Sequence, residues 1–372
     1  AFEKAIALDS ADPLPRLGLG LAKIRQGHLD EGRADLEAAV ALDSNNALLR
    51  AYLGKAYFEE KRGPLDADQF AIAKELDPLD PTAYFYNAIS LQTENRPVEA
   101  LRELDKSIEV NDNRAVYRSR LLLDQDRAAR GTSQARIYND LGFRQLGINS
   151  AAESVTTDPA NASAHRFLSD VYRTIQRHET ARVSELQQAQ MLQNVNINPI
   201  QPSISDTNLN ISTQGGPAST GFNVFTPLFE RNRAQANVAG FGGSNDTIGG
   251  EAVLSGVYDR LSLSAGAFGY DTDGYRRNND LKHEIYNLFG QVAVTPTLNL
   301  QAEYQKRNTD YGDLKMNFDP DVFSPDQHNS RDPESYRFGA TIRPSASSTV
   351  LVLYNHKDGD DGRNDKIVLD FI

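Results

Sequence analysis

The sequence predicts a multidomain α + β chain, an N-terminal α-solenoid of helix pairs followed by an antiparallel β-barrel of the membrane type that the sequence covers in part. Three observations carry this. Helix-ending segments AIALDS, AVALDS, AKELDP and SIEVND recur about every 34 residues. Segments with period-two alternation fill the chain beyond residue 233. Between them, from residue 194, the composition turns abruptly to NVNINPIQPSISDTNLNISTQGGPASTG, whose Asn, Pro, Ser, Thr and Gly mark an irregular connector. The expected division is a solenoid over 1–193, a connector over 194–232 and a barrel of about eight strands over 233–372.

The helical repeat has the residue pattern of the tetratricopeptide repeat (TPR). One repeat carries Gly20, Ala22, Gly27, Leu36 and Ala39, the next Leu53, Gly54, Tyr57, Phe70, Ala73 and Pro78, and a third Tyr84, Ala100 and Leu104. Small residues sit where paired helices touch, large ones fill the gap, and Pro or Ser closes the second helix. AFEKAIALDS reads as the second helix of a repeat whose first lies upstream, so the chain reads as a fragment. From Asn113 to Pro159 the period blurs, with Tyr117, Leu121, Tyr138 and Leu141 as candidate core residues. It returns at NASAHRFLSDVYRTIQRHETARVSELQQAQML, where Leu168, Tyr172 and Ala181 predict the helix pair that ends the stack. Ligands of such arrays lie against the first helix of each pair, which nominates Arg50, Lys55, Asn87 and Gln92 as groove contacts.

In the strand half, LNLQAEYQKR puts Leu298, Leu300, Ala302 and Tyr304 on one face and Asn299, Gln301, Glu303 and Gln305 on the other. RAQANVAGFGG, TIGGEAVLSGVY, LSLSAGAFGY, YNLFGQVAVT, SYRFGATIR, STVLVLYNH and KIVLDFI complete the set. A soluble sandwich and a membrane barrel share this alternation. Loop lengths separate them: the turn at Asp259-Arg260 is short, DTDGYRRNNDLKHE is long, Thr295 to Thr297 is short again, and the alternation continues to the end. Outer-membrane barrels segregate their loops in this way. Tyr270, Tyr286, Tyr304, Tyr336 and Tyr354 lie near the long-loop ends, as an interfacial girdle would. If the Asp259-Arg260 turn is periplasmic, the first strand runs outward and the repeat half lies in the periplasm. Phe225, Pro227, Leu228 and Phe229 are apolar before the first strand and are read as packing residues, with plugging or lining of the barrel foot as the alternative. Phe371-Ile372 is not the usual terminal aromatic of such a barrel, so further strands are expected in the parent chain.

Composition excludes several functions. With 39 Lys and Arg against 51 Asp and Glu, a net charge of -12 disfavours nucleic acid, which needs a basic face. The absence of Cys removes disulfides and thiolate chemistry. No run of 18 apolar residues predicts a membrane helix, although the mean hydropathy of -0.52 leaves a barrel open. Six scattered His lack metal-ligand spacing, and GFGGSND precedes a strand and not a helix, so it reads as a hairpin and not a phosphate loop. The acidic clusters at Asp271, Asp273, Asp358, Asp360 and Asp361 lack EF-hand order and read as solvated loops. No catalytic, cofactor or metal residue is nominated.

The segments ARIYNDLGF, NASAHRFLSDVY, RHETARVSELQQAQ, INPIQP, GFNVFTPLFERNR and FGYDTDGYRRNND resemble bacterial TPR outer-membrane β-barrel proteins of undefined biochemical role. In architecture the chain is similar to exopolysaccharide exporters that join a periplasmic TPR scaffold to a barrel pore. The helical repeat and the long-short loop alternation lead to the expectation of a non-enzymatic outer-membrane protein whose TPR groove binds a protein or polysaccharide and whose barrel anchors or conducts it. The alternatives are a soluble periplasmic adaptor with a β-sandwich, and third a polysaccharide-acting enzyme.

Overall fold

The computed structural model describes residues 1–116, 120–172, 175, 178–193, 229–315, 319 and 321–364. The chain divides into two compact units. Their membership departs from the division expected at residue 193: the helix 179–192 groups with the strands, and residues 229–232 group with the helices.

The helical unit contains α1 (Phe2–Leu8), α2 (Pro13–Gln26), α3 (Leu29–Leu42), α4 (Ala47–Glu59), α5 (Leu65–Leu76), α6 (Pro81–Thr93), α7 (Pro97–Glu109), a 3-10 turn (Asn111–Val116), α8 (Arg120–Asp140), α9 (Arg144–Thr157) and α10 (Ala162–Tyr172). Asp12, Asn46 and Asp80 cap the starts of α2, α4 and α6 by accepting from Leu14, Leu49 and Thr82 N–H, one full repeat apart. Pro13 and Pro81 occupy first-turn positions, where no donor is lost. The repeat glycines are contact points. A Cβ on Gly20 would lie 2.8 Å from the Gly32 carbonyl, and one on Gly54 would lie 2.6 Å from the Phe70 ring. The bare backbone therefore lets α2 approach α3 and α4 approach α5. Leu17, Ile24, Leu36, Ala39, Leu49 and Leu53 form one buried cluster, and Ala88, Leu91, Ala100, Leu104 and Ile137 another.

The blurred stretch has a physical cause. Helix α8 runs 21 residues where α2 to α7 run 12 to 14, so no 34-residue register survives it. Ile137, not Tyr138, is the buried residue there, Tyr138 is half-buried, and Leu141 packs beside Ile137. Tyr117 lies outside the described residues, as do the surroundings of the Leu121 side chain. Arg130 is buried there, donating to Ser107 Oγ at 2.7 Å and to Asn111 Oδ1.

The strand unit contains α11 (Glu179–Leu192) and β1 (Arg233–Gly242), β2 (Ile248–Tyr258), β3 (Leu261–Thr272), β4 (Leu281–Thr295), β5 (Leu298–Tyr311), β6 (His328–Arg331), β7 (Glu334–Ser345), β8 (Ser348–Asp358) and β9 (Asp361–Asn364). The pair expected to end the stack is thus split, with α10 up to Val171 in one unit and α11 in the other. The long strands form an antiparallel meander in the order β1-β2-β3-β4-β5-β7-β8, while β6 and β9 pair beyond the ends of β5 and β7. Neither a complete barrel nor a two-layer sandwich is formed by the described residues. Among the described residues β1 pairs only with β2 and β8 only with β7, so the sheet is open and not a closed barrel. Nor do the described residues form a second sheet, so the sandwich alternative has no partner layer. KIVLDFI lies outside the described residues.

The bare face of the sheet is apolar, whereas its covered face carries many polar side chains around an apolar patch of Val253, Val257, Phe268, Ile285 and Phe289. Ser262, Ser264, Asn287, Gln291, Asn299, Glu303, Gln305, Arg337 and Thr341 are buried, whereas Val238, Leu254, Leu263, Leu288, Phe338, Val352 and Tyr354 are exposed. Helix α11 covers part of the polar face. Thr341 Oγ1 donates to the Met191 carbonyl at 2.6 Å, Arg343 to Leu192 at 3.3 Å and Gln291 to Gln193 at 3.2 Å. The sheet thereby satisfies carbonyls that a helix C-terminus leaves unpaired, and Arg343 sets a cation at the negative end of the helix dipole. Gln190 donates to Glu303, which also accepts from Asn287 and Arg337.

The long loops are built and not merely solvated. Gly274, at φ 72°, packs against Asn279, whose side chain donates to the Asp313 carbonyl. Asn278 donates to the Ser324 and Gln327 carbonyls. Burial pushes the Asp313 carboxyl up, but the N–H groups of Ser324 and Lys315 and the nearby Arg276 outweigh it and hold it below its ordinary range.

Candidate functional site: the groove around Lys55

The first helices of successive pairs bring an aromatic cage together. On α4, Tyr52, Lys55 and Glu59 follow one another at helical spacing along one face, and α6 presents Tyr86 opposite. The Lys55 ammonium donates to Tyr86 Oη at 3.2 Å and lies 4.4 Å from the Tyr86 ring centre, 5.0 Å from Tyr52 and 4.4 Å from Phe229. Its residue is only 7% exposed. Burial lowers its pKa to about 8, against the pull of Tyr52 and Glu59, which favour the charged form.

Phe229 belongs to a stretch of the chain's own backbone seated on these helices. Its ring stacks on Tyr52 with centroids 6.4 Å apart, and its N–H donates to Glu59 Oε1 at 3.1 Å. The Arg231 guanidinium donates to the other oxygen, Glu59 Oε2, at 3.1 Å. Asn232 N–H then donates to the Arg25 carbonyl at 3.0 Å, at the end of α2. Gly27 makes that approach possible: its φ of 103° suits glycine, and a Cβ there would lie 2.8 Å from the Asn232 carbonyl. Residues 229–232 are thus held through backbone, aromatic and charged contacts, as a bound peptide would be. Of the two readings of Phe229, packing and a place at a barrel foot, the structure shows packing, with the ring against the helical unit; Phe225, Pro227 and Leu228 lie outside the described residues.

The four nominated groove residues separate. Lys55 is central to the cage. Arg50 turns to the Ser44 carbonyl and to Gln69 on α5, and Gln92 donates to Asp140 on α8. Asn87 is half-buried on α6. Sequence reasoning missed Glu59, Tyr86 and Arg231, and named Tyr52 nowhere. The signal available was faint: Glu59 sits in AYLGKAYFEEK, where it reads as a solvated helix end.

Lys55 makes stability depend on pH. Because its folded pKa of about 8 lies below the model-peptide 10.5, the unfolded chain binds more protons between those values, and stability rises with pH across the window. Three ring faces attract the ammonium and temper the depression. Urea unfolding of the chain at pH 7.5 and 9.5, followed by helical circular dichroism, should show that rise, and Lys55→Met should flatten it. An unchanged slope in the variant would assign the rise to other groups.

A tetratricopeptide-repeat family profile matches residues 17–81. Those residues, α2 to the start of α6, are TPR helix pairs. The match covers α4, which carries Tyr52, Lys55 and Glu59, and the Gly54–Phe70 contact, and it stops at Pro81, before Tyr86. Solved structures similar to the chain include the Cut9 and Hcn1 hetero-tetramer of the APC/C (15% identity, 51% of this chain and 35% of that chain, TM-score 0.45). Others are Pseudomonas aeruginosa pilF (15% identity, 50% and 79%, TM-score 0.42) and YrrB, described as a TPR protein with an unusual peptide-binding site (21% identity, 52% and 92%, TM-score 0.34). The chain spans about a third of the length of the APC/C chain it matches. No curated protein sequence matches the chain.

Proposed function

We propose that the chain is a non-enzymatic outer-membrane protein whose TPR helices form a periplasmic scaffold for a protein partner and whose sheet is part of a lipid-facing β-barrel. The observation that carries this reading is the apolar bare face of the sheet. Asn, Gln, Ser, Thr and Glu are covered, beside a small apolar patch at Phe268, Ile285 and Phe289, while Val238, Leu254, Leu288 and Tyr354 stand 74%, 62%, 56% and 60% exposed. So much contiguous apolar surface needs a lipid or protein cover. Short links at Asp259-Arg260, Pro296-Thr297 and Ala346-Ser347 alternate with longer ones, which supports one periplasmic edge. Tyr286, Tyr304, Tyr336 and Tyr354 share the bare face near the long-loop ends and support an interfacial girdle; Tyr270 lies on the other face, with Ser262 and Ser264. Closure requires further strands between the edges of β1 and β8. With α11 seated on the polar face, an anchor is favoured over an open export pore.

Expression behind a secretion leader should send the protein to the outer-membrane fraction, with heat-modifiable migration on a gel. A strand unit that is soluble and monomeric without detergent would overturn the membrane reading and leave a soluble TPR adaptor.

A further inference from the structure

The groove around Lys55 is already filled by the chain's own residues 229–232, and their contacts define what fits there. Phe229 supplies a flat apolar face that lies 4.4 Å from the Lys55 ammonium and stacks on Tyr52, so an aromatic side chain satisfies both neighbours where an aliphatic one offers no π-face. Glu59 is buried, and its two carboxylate oxygens divide between a backbone N–H and a guanidinium two residues later. A buried carboxylate is costly unless hydrogen-bonded, and a cation in that second place neutralises it. The Arg25 carbonyl fixes the direction of the incoming backbone by accepting from Asn232 N–H. These four points read a segment of the form aromatic-x-Arg-x.

From this we infer that the TPR groove recognises a partner segment with an aromatic residue two places before an arginine, and that residues 229–232 are the internal competitor such a segment must displace. This deepens the proposed function and rests on its reading of the TPR helices as a peptide-binding scaffold. A tethered competitor acts at an effective concentration on the order of millimolar, so the apparent affinity for a partner falls by the fraction of time the groove stands open. Only a segment that matches the aromatic and arginine places, or that presents several copies, displaces it. The segment also directly precedes β1, so its release frees the residues that lead into the sheet.

The test uses the full chain and a fluorescently labelled synthetic peptide, NVFTPLFERNR, the sequence of residues 223–233. Phe229→Ala combined with Arg231→Ala empties the groove of its competitor without touching the helices. This variant should bind the peptide at least tenfold more tightly than the wild type does in fluorescence polarisation. A peptide with alanine at the same two places should bind at least tenfold more weakly. Adding Glu59→Gln, or Lys55→Met where Glu59→Gln does not fold by circular dichroism, should lower binding at least tenfold again. Equal binding of the peptide and its alanine counterpart, or equal binding by wild type and variant, overturns the inference. An array of peptides of varied composition separates the two levels: capture of sequences lacking the aromatic and arginine overturns this specificity while the TPR scaffold reading stands, and capture of none by the emptied variant overturns both. Outer-membrane fractionation is independent of every arm.

Discussion

Replacing Phe70 by alanine should destabilise the helical unit by about 3–5 kcal/mol, the range for deleting a fully buried phenylalanine ring. Phe70 is 0% exposed and fills the space that Gly54 leaves between α4 and α5. The effect extends to the groove, since the Phe70 and Tyr86 rings lie 6.4 Å apart and Tyr86 holds Lys55. Thermal unfolding followed at the helical circular dichroism band should show a fall in Tm on the order of 10 °C. Apparent binding of peptide to the emptied groove should weaken with it. A loss within about 1 kcal/mol would mean that the ring does not hold the pair together, and the packing account of this repeat would have to be abandoned.

Leu288→Arg provides the second large effect, and its sign depends on the solvent. Leu288 stands mid-strand on the bare face of β4, opposite Ala265 on β3 and Tyr304 on β5, and is 56% exposed. Facing lipid near a bilayer midplane, an arginine costs about 2–4 kcal/mol, enough to lose the heat-modifiable species and much of the membrane-inserted protein. Facing water, the same change falls within about 0.5 kcal/mol and improves solubility. Measuring the folded fraction in detergent or vesicles and the yield in the soluble fraction decides between them. A soluble, equally stable variant would contradict the membrane assignment of this face.

How far the sequence reached differs between the two units. Helix pairs were legible because Gly20, Gly54 and Phe70 recur in a local 34-residue frame that only direct helix contact explains. The two faces of β5 were legible because alternation is a property of the strand itself. Which face would be covered was not, since that depends on what packs against it. The answer lies in α11, whose sequence predicts the end of the repeat stack but whose last carbonyls are held by Thr341, Arg343 and Gln291, about 100 to 150 residues away. The same limit applies to the candidate site. Lys55 was nominated by its place on a first helix, but Glu59 resembles any solvated helix end until Phe229 and Arg231 arrive from about 170 residues downstream.

The sequence by itself determined the elements: TPR helix pairs, two-faced strands with alternating short and long links, and a chain without thiols or a basic face for nucleic acid. Only the tertiary structure decided the company those elements keep, including an open sheet, the helix on its polar face and a groove filled by the chain's own Phe229 and Arg231. The reason is physical. Periodicity and capping act over one or two turns and leave their mark in adjacent residues, whereas burial of Glu59 or exposure of Leu288 depends on segments whose distance in sequence carries no local signal.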